Sequence, residues 1–203
     1  MVPIVNELTF NYDEQNRITR RIILSALLNT FVFDIETVPD VNAGRKLLDL
    51  SDLSDAEVAE AMMALRRQQT HGASDFIRLH LQRIVCISAV LRRGDQFKVW
   101  SLGEPTASEE DIIERFFTGL EKFTPTLVSW NGSGFDLPVL HYRALLHGIS
   151  AKQYWEIGDE IKDFRYNNYL NRYHYRHLDL MDVLSGYQAR ACASLDETSI
   201  KSK

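Results

Sequence analysis

Apolar residues recur along this chain with two periods, close to two residues in some stretches and close to 3.6 in others, and the alternation between them outlines strands and helices. A first strand is expected over Thr30 to Asp34, where the apolar run Phe31-Val32-Phe33 is closed by Asp34-Ile35-Glu36-Thr37. Residues 1–28 form a leader of undefined structure, and residues 29–203 read as one domain with a helical insertion at 40–80. In the insertion Ser54 stands three residues before Glu57, a capping-box spacing, and Ala, Met and Leu recur to about Arg67 before His71-Gly72 stops the run. Gln82 to Leu91 and Gln96 to Leu102 are β-rich runs flanking Arg92-Arg93-Gly94-Asp95, which predicts a hairpin. Ser108 resembles an N-cap, and Ile112, Ile113, Phe116, Phe117 and Leu120 share one helical face until Pro125. A short strand over Thr126 to Trp130, the loop Asn131 to Gly134 and a helix from about Leu137 to Leu146 follow, with Pro138 in the first turn and Gly148 near the end. The order β, β-hairpin, α, β, α describes a mixed sheet with helices packed on it.

Composition narrows the partners. The 203 residues carry a formal net charge of -5, which argues against a polybasic binder that gains affinity by neutralising many phosphates. Nucleic acid remains open as a substrate, because carboxylate-bound cations can supply positive charge locally. Of the two cysteines, Cys86 lies in the apolar run Ile84-Val85-Cys86-Ile87 and reads as a small buried thiol. Without a CxxC or CxxH pair structural zinc is not expected, and a reducing cytoplasm is the simplest compartment. Arg20-Arg21 before Ile22 to Leu28 is preceded by a polar, acidic stretch and followed by no small-residue cleavage pattern, so it is not read as a signal peptide. No run approaches ~20 apolar residues, so no membrane span is expected.

The candidate chemistry lies in carboxylates. Residues two apart on a strand face one way, so Asp34 and Glu36 share a side, and Asp136, opening a helix, can point back at them. Like charges at ~4 Å repel by roughly 1 kcal/mol in water and by more in a drier site. Three such groups therefore suit a hard cation with oxygen ligands, Mg²⁺ or Mn²⁺. Between 164 and 177, Phe164, Tyr166, Tyr169, Tyr173 and Tyr175 interleave with Arg165, Arg172 and Arg176. Alternating aromatic and cationic groups can stack bases while tracking phosphates; equally, Tyr166, Tyr169 and Tyr173 have the i, i+3, i+7 spacing of a buried helical stripe.

Phe33-Asp34-Ile35-Glu36-Thr37 and Asn131-Gly-Ser-Gly-Phe135-Asp136 resemble the first and second motifs of the DEDD superfamily of 3'-5' exonucleases. The form is that of the proofreading domain of B-family DNA polymerases, and the resemblance is closest to bacterial stand-alone predicted exonucleases related to that domain. Thr37-Val38-Pro39-Asp40 and the stretch from His177 to Ser185 also look like segments of that group. The resemblance implies an RNase H-like α/β fold and two-metal hydrolysis of the 3'-terminal phosphodiester of a single-stranded DNA end. It further implies that Asp34, Glu36 and Asp136 are catalytic and hold the two ions, and that Thr37, Asn131 and Phe135 bind the terminal nucleotides.

The superfamily's fourth acid comes from a C-terminal helix, in Tyr-x-x-x-Asp or His-x-x-x-x-Asp, and no Tyr-x-x-x-Asp follows Asp136. The pairs His174 with Asp179 and His177 with Asp182 imitate the histidine form, but Asp179 and Asp182 read more simply as a helix cap and a supporting acid. The sequence is therefore expected to stop, at Lys201-Ser202-Lys203, before the third motif and its helix. Two functions follow: a metal-dependent 3'-5' exonuclease, or a catalytically impaired nucleic-acid-binding module of the same fold.

Overall fold

Phe31, Phe33 and Ile35 alternate with Val32, Asp34 and Glu36, and in the computed structural model, which describes residues 29–198, this alternation continues as one strand, β1 (Asn29–Pro39). Asp34 and Glu36 therefore lie within β1, and the strand end expected at Asp34 falls at Pro39. The polar residues do not end the strand because they occupy its solvent face, while Phe33 and Ile35 between them are buried. The leader assigned to 1–28 and the Lys201–Lys203 end lie outside the described residues.

Five strands form the sheet in the order β3-β2-β1-β4-β5. The hairpin of β2 (Gln82–Arg93) and β3 (Gln96–Leu102) forms as expected, turning at Gly94, which has φ 59°. It pairs antiparallel with β1, whereas β4 (Thr126–Ser129) and β5 (His177–Asp179) continue the sheet in parallel. A bulge interrupts the β1–β2 register after Glu36↔Cys86, so that Thr37 faces Ile84 and Val85 is the extra residue. Ile84 and Ile87, three apart, thereby both enter the core. Cys86 beside them is half-buried and not the buried thiol expected, because the bulge turns it from the core face.

Two short helices fill the insertion, α1 (Val41–Leu48) and α2 (Asp55–Gln69); the second opens on the capping box of Ser54 and Glu57. They enclose a satellite core of Val58, Met62 and Ile77. The main core lies between one sheet face and helices α3 (Glu109–Phe123) and α4 (Asp136–His147), where Ile112, Ile113, Phe116 and Leu120 meet Phe33, Ile35, Ile87 and Leu127. On the opposite face the pairing aligns Val99, Val90, Val32, Val128 and Leu178 as one apolar row across all five strands. Asp34 and Glu36 stand on that same face of β1. The chain continues through α5 (Lys152–Trp155), α6 (Leu180–Leu184) and α7 (Leu195–Thr198).

The aromatic and basic segment before β5 is not a helix with a tyrosine stripe. Asn167 Oδ1 accepts from the Tyr175 amide (2.9 Å), Asn168 Oδ1 from Leu170 and Asn171 (3.2 and 3.0 Å), and Asn171 Oδ1 from Tyr173 (3.0 Å). These side-chain bonds take amides that a helix would use and fold the segment into successive turns. Phe164 and Tyr169 are buried with the Arg176 guanidinium 4.3 Å from the Phe164 ring centre, while Tyr166, Tyr173 and Tyr175 are exposed.

Candidate active site

Parallel pairing of β4 with β1 ends at Val32↔Val128, and β4 stops at Ser129. The chain then turns through Asn131, held at φ 58°, whose carbonyl accepts from the Gly134 and Phe135 amides (3.0 and 2.9 Å). Gly132 has no room for a side chain, since a Cβ there would overlap Ser129. Gly134 lies under the Asn131 side chain, and a Cβ there would fall 2.5 Å from Asn131 Oδ1. The loop's amides are held from outside by Asp179 at the end of β5, which accepts from Asn131 N (2.8 Å) and Ser133 N (2.9 Å) and caps α6 through Met181 N (3.2 Å). Asp179 is therefore a helix cap, as expected, and also the clasp of the loop. Beneath it Ser129 Oγ and His177 Nε2 are 2.7 Å apart, and burial keeps the His177 pKa low despite Asp179 and Asp182 nearby.

The loop delivers Asp136 to the first position of α4, 2% exposed. Its Oδ1 accepts the Ile35 amide at 3.1 Å, so the carboxylate meets β1 at the peptide between Asp34 and Glu36. Burial, then repulsion from Asp34, and more weakly from Asp179, push the Asp136 pKa up to about 7, against the opposing pull of the Ile35 amide. Partial burial and then Glu36 raise the pKa of Asp34 as well. Repulsion thus links Asp136 to Asp34, and Asp34 to Glu36. Among the described residues, no three His, Cys, Asp or Glu side chains are gathered into a metal cage as they stand. The three carboxylates offer only oxygen donors, the kind a hard divalent cation takes, and the repulsion centred on Asp34 is what such a cation would relieve.

The other sequence-predicted site residues surround this group. The Thr37 hydroxyl, one residue past Glu36, donates to Gln82 Oε1 (3.1 Å). Asn131 shapes the loop, and the Phe135 ring packs on Phe76 of the insertion, centroids 5.6 Å apart.

Two features had no local signal in the sequence. One is a buried ion cluster. Arg143, seven residues after Asp136 on α4, donates through Nη1 to Asp40 Oδ2 (2.6 Å), through Nε to Glu109 Oε1 (2.8 Å), and through Nη2 to Glu109 Oε2. Glu109 also accepts from Ile84 N (2.7 Å) and lies 2.9 Å from His147 Nε2, while Asp40 caps α1 through Ala43 N (3.0 Å). Burial acts to raise the pKa of Asp40, but the Ala43 amide and Arg143 outweigh it and hold it low. The cluster ties the strand bearing Asp34 and Glu36, the helix bearing Asp136 and the insertion into one body. The other is an aromatic cavity beside the loop, walled by His141 and Trp155.

Residues 74–202 match the model of a protein family described as predicted 3'-5' exonucleases related to the exonuclease domain of PolB. That span contains the Asn131–Asp136 loop and its clasp Asp179, while Asp34 and Glu36 precede it. No curated protein matches the chain.

Proposed function

The chain belongs to this family of predicted 3'-5' exonucleases, and on that premise we propose that it hydrolyses the 3'-terminal phosphodiester of an unpaired DNA end, with Asp34, Glu36 and Asp136 as its catalytic carboxylates. The observation that supports the assignment is the 3.1 Å bond from Ile35 N to Asp136 Oδ1, which brings the third acid, 101 residues on in sequence, to the backbone of the strand that carries the first two. Family membership makes nucleic acid the substrate; the 3' end of single-stranded DNA and the two-ion mechanism are the finer parts of the proposal.

Asp34, Glu36 and Asp136 would hold two Mg²⁺ or Mn²⁺ ions. When bound, such ions activate a water and neutralise charge developing on the phosphate and the departing oxygen. The chain's own part is placement. Asp179 and the Asn131 turn fix the start of α4, and β1, pinned by the bulge, presents Asp34 and Glu36 together on its open face. Thr37, Asn131 and Phe135 lie within a residue or a loop of these acids and would contact the terminal nucleotides. Thr37 would do so by exchanging its bond to Gln82. No helix among the described residues is long and apolar enough to cross a membrane, and the two free cysteines suit a reducing cytoplasm.

One observation favours a second reading, a nucleic-acid-binding module of the same fold without turnover. Asp179, the further carboxylate that Asp136 senses, already accepts from three backbone amides, which leaves it little capacity to serve as a fourth ligand. A 5'-labelled single strand incubated with the protein and Mg²⁺ or Mn²⁺, beside Asp34→Ala, decides between them. Stepwise 3' shortening by the wild type alone supports hydrolysis. Equal background release from both, with strand binding retained, supports the module.

A further inference from the structure

A cavity of about 230 Å³ opens directly beside the Asp136 loop, between Ser133 and Leu137 on one side and Tyr154, Trp155 and Arg172 on the other, with His141 in its wall. Three of these rings form a continuous aromatic surface: the His141 centroid is 4.4 Å from Tyr154 and 4.8 Å from Trp155, and the last two are 5.2 Å apart. Tyr154 is buried, but Trp155 keeps 52% of its surface exposed and presents an indole at the cavity. His141 Nε2 is buried without a hydrogen-bond partner, one of two such side-chain atoms among the described residues. A buried polar atom left unpaired costs ~1–3 kcal/mol and calls for an explanation. Burial lowers the His141 pKa to about 4, so the ring is neutral at physiological pH and can bond an uncharged group. Arg172, also lining the cavity, pairs with Asp182 (2.9 Å) and keeps about half its side chain in solvent.

One exposed indole face, that of Trp155, together with an unpartnered neutral hydrogen-bonding atom and a cation beside the acidic residues, describes the complement of one nucleotide. We propose that this cavity receives a single unstacked base of the substrate strand, its face against Trp155, its edge on His141 Nε2 once a small rotation of the ring brings that atom out of the wall, and its phosphate near Arg172. The proposal rests on nucleic acid being the substrate, and it extends the site away from the carboxylates to the far side of the loop that carries Asp136. Held there, a base would fix the register of the strand relative to Asp34 and Asp136. A paired base, stacked on both sides, could not enter, so the cavity would select unpaired ends.

The test uses the full chain in EDTA, so that binding is read without hydrolysis, with oligodeoxynucleotides carrying 2-aminopurine at one position at a time from the 3' end. Stacking in the cavity is expected to quench the probe at one position and much less at its neighbours. Trp155→Ala should abolish that quenching and weaken binding about tenfold, the scale of one base–aromatic stack. His141→Phe should keep the quenching and weaken binding several-fold. Quenching that is uniform along the strand, an unchanged pattern and affinity in Trp155→Ala, or no strand binding by the wild type would each overturn the proposal. Because the wild-type pattern is informative by itself, the test survives if a variant fails to fold. Position-specific quenching without nucleotide release in Mn²⁺ would keep the cavity and remove hydrolysis; release without it would do the reverse.

Discussion

Replacing Arg143 by Met should unsettle the protein more than any surface change, and the structure sets the scale. The Arg143, Asp40 and Glu109 side chains are 4%, 8% and 6% exposed, so water screens little of their interaction. Met keeps most of the buried stem but leaves two carboxylates facing each other without their cation. Breaking a buried pair from one side costs ~3–5 kcal/mol, chiefly through the charge left behind. For a domain of this size that corresponds to a melting temperature lower by roughly 6–20 °C. The loss should be larger at pH 8 than at pH 5, because without Arg143 less opposes the burial that raises the Asp40 pKa, and Asp40 can take up a proton at the lower pH. Urea unfolding of Arg143→Met, beside the triple variant with Asp40→Asn and Glu109→Gln, separates charge from packing. The amide side chains still accept from Ala43 N and Ile84 N, so the triple variant should recover most of the loss. A single variant within 1 kcal/mol of wild type, or a triple variant no better than the single, would refute this account of the cluster.

Asp136→Asn should change how stability depends on pH. The folded pKa is about 7 against an ordinary 3.8, so the wild type binds the proton more tightly folded than unfolded. That stabilisation is complete below about pH 4 and is lost as pH rises through 7. Measured in EDTA between pH 5 and 8, the wild type should lose about 2–3 kcal/mol that the Asn variant keeps; parallel profiles would show that Asp136 titrates normally. Gly132→Ala should destabilise the protein by ~1–3 kcal/mol, because its methyl group meets Ser129 and, 3.5 Å away, His177 Nε2. Adding Ser129→Gly should recover part of that loss in a thermal melt if overlap with Ser129 is the cause.

Features set by neighbours in sequence were legible in advance. The Ser54–Glu57 box, the turn at Gly94 and the apolar face of α3 each follow from a few adjacent residues, and the structure has them where expected. The end of β1 was not, because polar Asp34 and Glu36 resemble the close of an apolar run, while their alternation with Phe33 and Ile35 is itself the strand pattern. Tyr166, Tyr169 and Tyr173 suggested a helix by spacing, but Asn167, Asn168 and Asn171 spend their side chains on backbone amides, and that competition is invisible to periodicity. The identity of the three candidate acids was readable as motif. What held them was not: Asp40, Glu109 and Arg143 come from three distant elements, and no single stretch of sequence shows that they share one buried cluster.

The bond from Ile35 to Asp136 has a consequence in time as well as in space. Where β4 turns away, the next amide on that edge of β1 would be left without a strand partner, and a side chain from another element supplies the oxygen. Neither half can satisfy that amide alone, so its protection against hydrogen exchange begins only when β1, β4 and α4 have docked. The Ile35 amide is thus a one-proton clock for the assembly of the acidic group, readable by exchange in a protein that has never met a metal or a nucleotide.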